Sequence, residues 1–115
     1  MLPIERSRTL QANSVTLTLE VEPELFWFQG HFPTLPILPG VAQLDWVMHY
    51  GLLLLAPGRQ FAAIDNIKFQ QPVPPGALLQ LHLEWHAEKS RLSFRYSLLS
   101  EAGEQSASSG KIALC

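Results

Sequence analysis

Between Pro39 and the pair Pro57-Gly58 lies a single stretch with the helical repeat, and every patterned run after it has the repeat of a strand. Val41, Leu44, Val47, Met48, Gly51, Leu52 and Leu55 fall on one wide face, and Trp46, Tyr50 and Leu53 cover much of the rest. A helix apolar nearly all round must be buried nearly all round. One helix wrapped by a sheet satisfies that demand, and a helix lying on a surface does not. With 115 residues, 47% of them hydrophobic, the chain fits one globular domain, 1–115, and is not disordered. A core of this size is only modestly buried, so a partner subunit is expected to add burial.

The strands are read from alternation. Val15, Leu17, Leu19 and Val21 alternate with Thr16, Thr18 and Glu20, and Pro23 ends the run. Residues 24–38 carry neither repeat. After the helix come runs at 61–69, 79–85, 91–99 and 105–114, separated by Pro72-Val73-Pro74-Pro75-Gly76 and by a turn at Gly103. The order is strand, loop, long helix, then four strands on tight connections, which predicts an α+β fold with an antiparallel sheet around one central helix. Residues 64–69 are expected to pack on the helix, with Asp65-Asn66 holding a turn or bulge.

Several function classes are excluded. A formal net charge of -2 with scattered lysines and arginines offers no footprint for nucleic acid. Cys115 is the only cysteine, which rules out an internal disulfide and a cysteine-based metal site and fits the reducing cytoplasm. Residues 1–10 contain Glu5, Arg6 and Arg8 without an apolar centre, so no secretory signal is expected. Gln43, Asp45 and His49 interrupt residues 41–56, well short of the roughly twenty clean residues of a membrane span, so no membrane insertion is expected. His82 and His86 stand four apart in a strand, ~13 Å, too far to share a metal, and are expected to face solvent.

The residues with chemistry to offer cluster just before and inside the helix. Gly30-His31-Phe32-Pro33 sits in a segment stiffened by Pro33, Pro36 and Pro39, which presents His31 on rigid irregular backbone. Pro39 suits the first helical position, and Leu38 before it cannot cap. The N–H groups of Gly40 and Val41 are then bare at the positive end of the helix dipole, and Gly40 has no side chain to block a carbonyl oxygen. Asp45 follows about one and a half turns on, where apolar surroundings would raise its pKa and suit it to proton donation. A base, an acid and an oxyanion site describe proton removal beside a carbonyl. Loss of water from a 3-hydroxyacyl compound requires these three parts.

These residues, together with Ile64-Asp65-Asn66-Ile67-Lys68-Phe69, Pro72-Val73 and Pro75-Gly76, resemble the 3-hydroxyacyl-acyl-carrier-protein dehydratases of fatty-acid synthesis, from about Phe28 to the end. The resemblance implies the hotdog fold. It implies that His31 takes the alpha proton, that Asp45 serves the departing hydroxyl and that the Gly40 N–H holds the thioester carbonyl. It further implies a homodimer or dimer of dimers, with histidine and acid from opposite subunits. The substrate would arrive on the phosphopantetheine of an acyl carrier protein, an acidic partner for which Lys68, Arg59, Arg91 and Arg95 are the candidate contacts. No cofactor or metal is implied.

Two departures stand out. The acid is Asp, as in dehydratases that also isomerise a double bond, instead of the commoner Glu; the acid alone does not establish isomerisation. His49 stands where the family usually carries Gln, beside Asp45 at i+4; a neutral imidazole would orient the carboxyl, and a charged one would lower its pKa. The run Gln43-Leu44-Asp45-Trp46 also resembles accessory dehydratases of aryl polyene pathways. Val41, Phe32, Trp46 and His49 are the candidate substrate contacts, with Trp27 and Phe26 as further aromatic candidates, although aromatics at such positions are more often plain core. Two alternatives remain at this point, a hotdog acyl thioesterase and a non-catalytic acyl-binding subunit.

Overall fold

The computed structural model describes residues 2–25 and 37–115. Among these residues the chain forms β1 (Ile4–Leu10), β2 (Ser14–Glu20), α1 (Gly40–Leu54), β3 (Phe61–Phe69), β4 (Leu78–His86), β5 (Arg91–Ser100) and β6 (Gly103–Leu114). The six strands make one antiparallel sheet in the order β1-β2-β4-β5-β6-β3. The α+β arrangement with a single long helix is the expected one.

Alternation decides which face of the sheet meets the helix. Val15, Leu17 and Leu19 of β2, Leu79, Leu81 and Leu83 of β4, and Leu92, Phe94 and Tyr96 of β5 are all buried. Against them α1 buries Ala42, Gln43, Trp46, Val47, Tyr50 and Gly51. A glycine in mid-helix costs about 1 kcal/mol relative to alanine. At Gly51 a Cβ would lie 2.5 Å from a methyl of Leu92, so its absence lets the helix settle onto β5.

One row across the sheet positions the candidate site. Leu17, Leu81, Tyr96, Ser108 and Phe69 pair in succession from β2 through β4, β5 and β6 to β3, so all five point to the helix side. The last three lie beneath the first turns of α1.

The structure corrects four expectations. β1 was not foreseen, because Ile4–Leu10 has no apolar alternation and is exposed along nearly its whole length; its pairing with β2 creates it. The helix is buried on one side only: Val41 and Leu53 are 62% and 61% exposed, and Asp45 and His49 share that open side. Pro39 is the cap and not the first helical residue, with an extended ψ of 152°. β3 pairs with β6 alone and is exposed at every residue except the half-buried Ile67, so it is an edge strand that meets the helix only at its end, where the Phe69 ring lies against Gly40. The expected irregularity at Asp65 is present as a register shift between Ile64 and Asn66.

Candidate active site

The start of α1 is built without a side-chain cap. The N–H groups of Ala42 and Gln43 both donate to the Pro39 carbonyl, at 3.1 and 3.2 Å, and those of Gly40 and Val41 find no acceptor among the described residues. The chain entering the helix is held by the Leu38 N–H, which donates to the Val73 carbonyl at 2.8 Å, so the proline-rich connection after β3 lies alongside. Between them opens a cavity of about 390 Å³ lined by Leu38, Pro39, Gly40, Gln43, Phe69 and Pro72, among others. Its walls are apolar except at the bare helix start and at a few amides. Such a space suits an apolar ligand that carries a hydrogen-bond acceptor.

Gly40 also leaves room for a neighbouring ring. A Cβ at this position would stand 2.6 Å from the Phe69 ring, so the aromatic ring closes over the space a side chain would fill. Two residues of the sheet row then fix the helix by its first turns. The Tyr96 hydroxyl donates to the Gln43 backbone carbonyl at 2.6 Å, and the Ser108 hydroxyl donates to Gln43 Oε1 at 2.7 Å. Burial pushes the Tyr96 hydroxyl well above the ordinary tyrosine range, with Tyr50 and Asp45 adding smaller effects, so it stays a neutral donor.

Asp45 lies five residues beyond Gly40, ~7.5 Å along the axis. It is exposed in the single chain, which corrects the expectation that apolar burial surrounds it. With Met48, His49, Leu52, Leu53 and Pro57 it lines a shallow groove of about 550 Å³ on the open side of α1. His49 shares that groove, its ring edge-on to Tyr50 at 4.9 Å between centroids, and no hydrogen bond or ion pair joins it to Asp45. Val41 stands on the same open side, one turn before Asp45. Trp46 does not reach either cavity: it is wholly buried and belongs to the core, the plainer of its two readings. The expectations placed on His31, Phe32, Trp27 and Phe26 lie outside the described residues.

The candidate basic contacts separate into two kinds. Arg91 is ion-paired with Asp65, and the Arg59 guanidinium lies 5.4 Å from the Trp85 ring centroid. Lys68 and Arg95 are exposed and flank Ser109 in one cross-strand row on the outward face. His82 and His86 are half-buried instead of facing solvent freely, bonded to Thr16 Oγ1 at 2.9 Å and Ser93 Oγ at 3.1 Å. Sequence reasoning missed Gln43 and Phe69 as cavity residues. The available signal for Gln43 was an amide on the helix face shared with Val47 and Tyr50, where a polar side chain needs a partner.

The chain is similar to known proteins in sequence and in fold. The model of the ApeI-like dehydratases matches residues 7–111. Over 75 residues the chain is 43% identical to the 3-hydroxyacyl-[acyl-carrier-protein] dehydratase FabZ of Novosphingobium aromaticivorans, covering 57% of this chain and 48% of that one. Over 86 residues it is 38% identical to the FabZ of Protochlamydia amoebophila, covering 70% and 52%. It thus spans about half the length of these curated relatives. Among solved structures, an uncharacterized protein from Erwinia carotovora subsp. atroseptica superposes with a TM-score of 0.94 at 54% identity, covering 100% of this chain and 97% of that one. The dehydratase heterocomplex ApeI:P from Xenorhabdus doucetiae does so with a TM-score of 0.94 at 49%, covering 100% and 99%. A dehydratase domain of PpsC from Mycobacterium tuberculosis, 20% identical with a TM-score of 0.76 over 100% of this chain and 45% of that one, shares the hotdog fold.

Proposed function

The chain belongs to the ApeI-like dehydratase family, and from that premise we propose that it removes water from a 3-hydroxyacyl thioester carried by an acyl carrier protein, leaving the 2-enoyl thioester. His31 takes the proton from C2. The electron pair moves into the thioester carbonyl, whose developing negative charge is held by the Gly40 N–H with Val41 beside it. As the pair returns, the C2–C3 double bond forms, the C3–O bond breaks, and the departing hydroxyl takes a proton from Asp45 to leave as water. The chemistry moves two protons and one leaving group and calls for no cofactor. Phe32 follows the base in the sequence, and His49 shares the groove of the acid.

The observation that carries this reading is the placement of an exposed carboxylate, Asp45, on the open side of α1, ~6 to 7.5 Å along the axis from two uncapped N–H groups. A second copy laid over that side would exclude water from Asp45 and could bring its own His31 to it, in a homodimer or a dimer of dimers. The name of the Xenorhabdus relative supports a second reading of the assembly, in which the covering chain is a different but related dehydratase subunit. The acyl group is aliphatic, as in fatty-acid synthesis, or conjugated and aryl-terminated, as in aryl polyene synthesis. Lys68 and Arg95 are the free cations we assign to the carrier protein. No helix among the described residues is long and apolar enough to cross a membrane, and a cytoplasmic setting fits a carrier-protein substrate.

The test presents a 3-hydroxyacyl carrier protein and follows its mass. Loss of water supports the proposal, and loss of the whole acyl group with a free thiol supports a thioesterase instead. His31→Ala and Asp45→Asn are each expected to lower dehydration by at least about 100-fold. Undiminished dehydration in His31→Ala would overturn the mechanism. Aliphatic and aryl-conjugated substrates compared in the same assay decide the pathway.

A further inference from the structure

Gln43 is 3% exposed, yet it is a polar residue on a helix face that otherwise buries Ala42, Trp46, Val47 and Tyr50. Such a side chain is destabilising unless its amide is satisfied. Half of it is. The Ser108 hydroxyl donates to Oε1 at 2.7 Å, which turns the amide nitrogen away from β6. No partner for that nitrogen is found among the described residues, and none of their buried side-chain nitrogens or oxygens is left without one, so the nitrogen is not sealed in the core. Gln43 lines the cavity at the start of α1, the space open to such a nitrogen.

The direction of the side chain follows from helix geometry. Side chains on an α-helix lean toward the N-terminus, so a long residue at the fourth helical position covers the turn before it. Gln43 and Gly40 stand three apart on one face, above the row that holds Tyr96, Ser108 and Phe69. The backbone at Gln43 is held by the Tyr96 hydroxyl and its side chain by Ser108, so the amide is fixed before any ligand arrives. A fixed N–H donor then shares one cavity with the uncapped N–H of Gly40.

We propose that the Gln43 side-chain amide is a second donor to the thioester carbonyl oxygen, working beside the Gly40 N–H as negative charge develops there. The assignment rests on the dehydratase reading above, since it takes the acyl thioester as the occupant of the cavity. It makes Gln43 a catalytic residue and gives the buried Ser108 and Tyr96 hydroxyls the role of positioning residues.

Two measurements test this. The first is a titration of the isotopically labelled protein with octanoyl-pantetheine, which has the thioester carbonyl but no 3-hydroxyl to lose. The Gln43 amide pair, identified by its disappearance in Gln43→Met, is expected to shift and to saturate together with ligand binding. The second is turnover of 3-hydroxyoctanoyl-pantetheine by the double variant Gln43→Met with Ser108→Ala. Replacing both partners of a buried hydrogen bond by apolar groups is nearly neutral for stability, so this variant is expected to melt close to the parent. Its kcat is expected to fall about 10- to 100-fold, between the effects of losing a neutral hydrogen bond and an oxyanion donor. An unmoved amide resonance in a parent that turns the substrate over, or a folded double variant with parental kcat, overturns the proposal and leaves the dehydratase reading standing. A shifted amide in a parent that shows no dehydration supports the carbonyl contact and overturns the dehydratase reading.

Discussion

The two edges of the sheet are both antiparallel strands paired on one side only, yet they finish it in opposite ways. β1 carries Glu5, Arg6 and Arg8, joined as Arg6 to Glu20 and Arg8 to Glu5, and its one large exposed apolar residue is Leu10 at the end. Charge along an open edge discourages another strand from pairing there. β3 leaves Phe61, Ile64 and Phe69 50%, 43% and 53% exposed, with a bulge at Asp65. Its Phe69 ring also reaches Gly40, so the apolar edge runs into the open side of α1 with Val41 and Leu53. The contrast separates the two edges: exposed apolar residues gather on the β3 side and charges on the β1 side.

The sharpest way to break this contrast is to place one charge on each edge. Ile64→Lys on β3 is expected to reduce the assembly to single chains in sedimentation, and to lower dehydration at least about 100-fold, because a partner would have to bury an unpaired ammonium. Thr9→Lys on β1 is expected to leave mass and turnover within about twofold of the parent. Equal behaviour of the two variants would remove the distinction between the edges.

A smaller effect is expected where the sheet between the edges grips the helix. Tyr96→Phe removes the donor to the Gln43 carbonyl and should cost about 0.5 to 1.5 kcal/mol in denaturant unfolding. The same variant tests the pH dependence. The Tyr96 pKa is raised in the folded chain, so the unfolded chain loses that proton first, and stability is full below about pH 10 and falls as pH rises above it. The fall approaches about 1.4 kcal/mol per pH unit while only the unfolded tyrosine ionises, and Tyr96→Phe should flatten it.

Gly40→Ala probes the joint between β3 and α1. Its Cβ would meet the outer end of an exposed ring, which can swing aside, so a stability change of no more than about 1 kcal/mol is expected by thermal melting. Arg6→Ala on β1 should have the smallest effect, within about 0.5 kcal/mol, since its ion pair with Glu20 lies at the surface. A larger loss would mean that β1 is held by its charges and not by its ladder to β2.

Much of this architecture was legible in the chain. The alternation in 15–21, 79–85 and 91–99 named the buried faces of β2, β4 and β5, because a strand's period of two is set by its own neighbours in sequence. Pro39 and the pair Pro57-Gly58 bracketed α1 for the same local reason, and an uncapped start was foreseen, although the residue at the cap is Pro39 and not Leu38. β1 escaped because a charged edge strand has no period to read. The open side of the helix escaped because an apolar surface looks the same in sequence whether its own sheet or another chain covers it.

The residues themselves determined the family, the order of the main elements and the juxtaposition of Gly40 with Asp45 along one helix. Only the tertiary structure decided that Asp45 faces outward, that Trp46 is core, and that Phe69 closes over Gly40. It alone turned Gln43 from an oddity on an apolar face into a held amide at the cavity. Those outcomes depend on which residues pair across β3, β5 and β6, and register between distant strands is a property of the assembled sheet that no local repeat encodes.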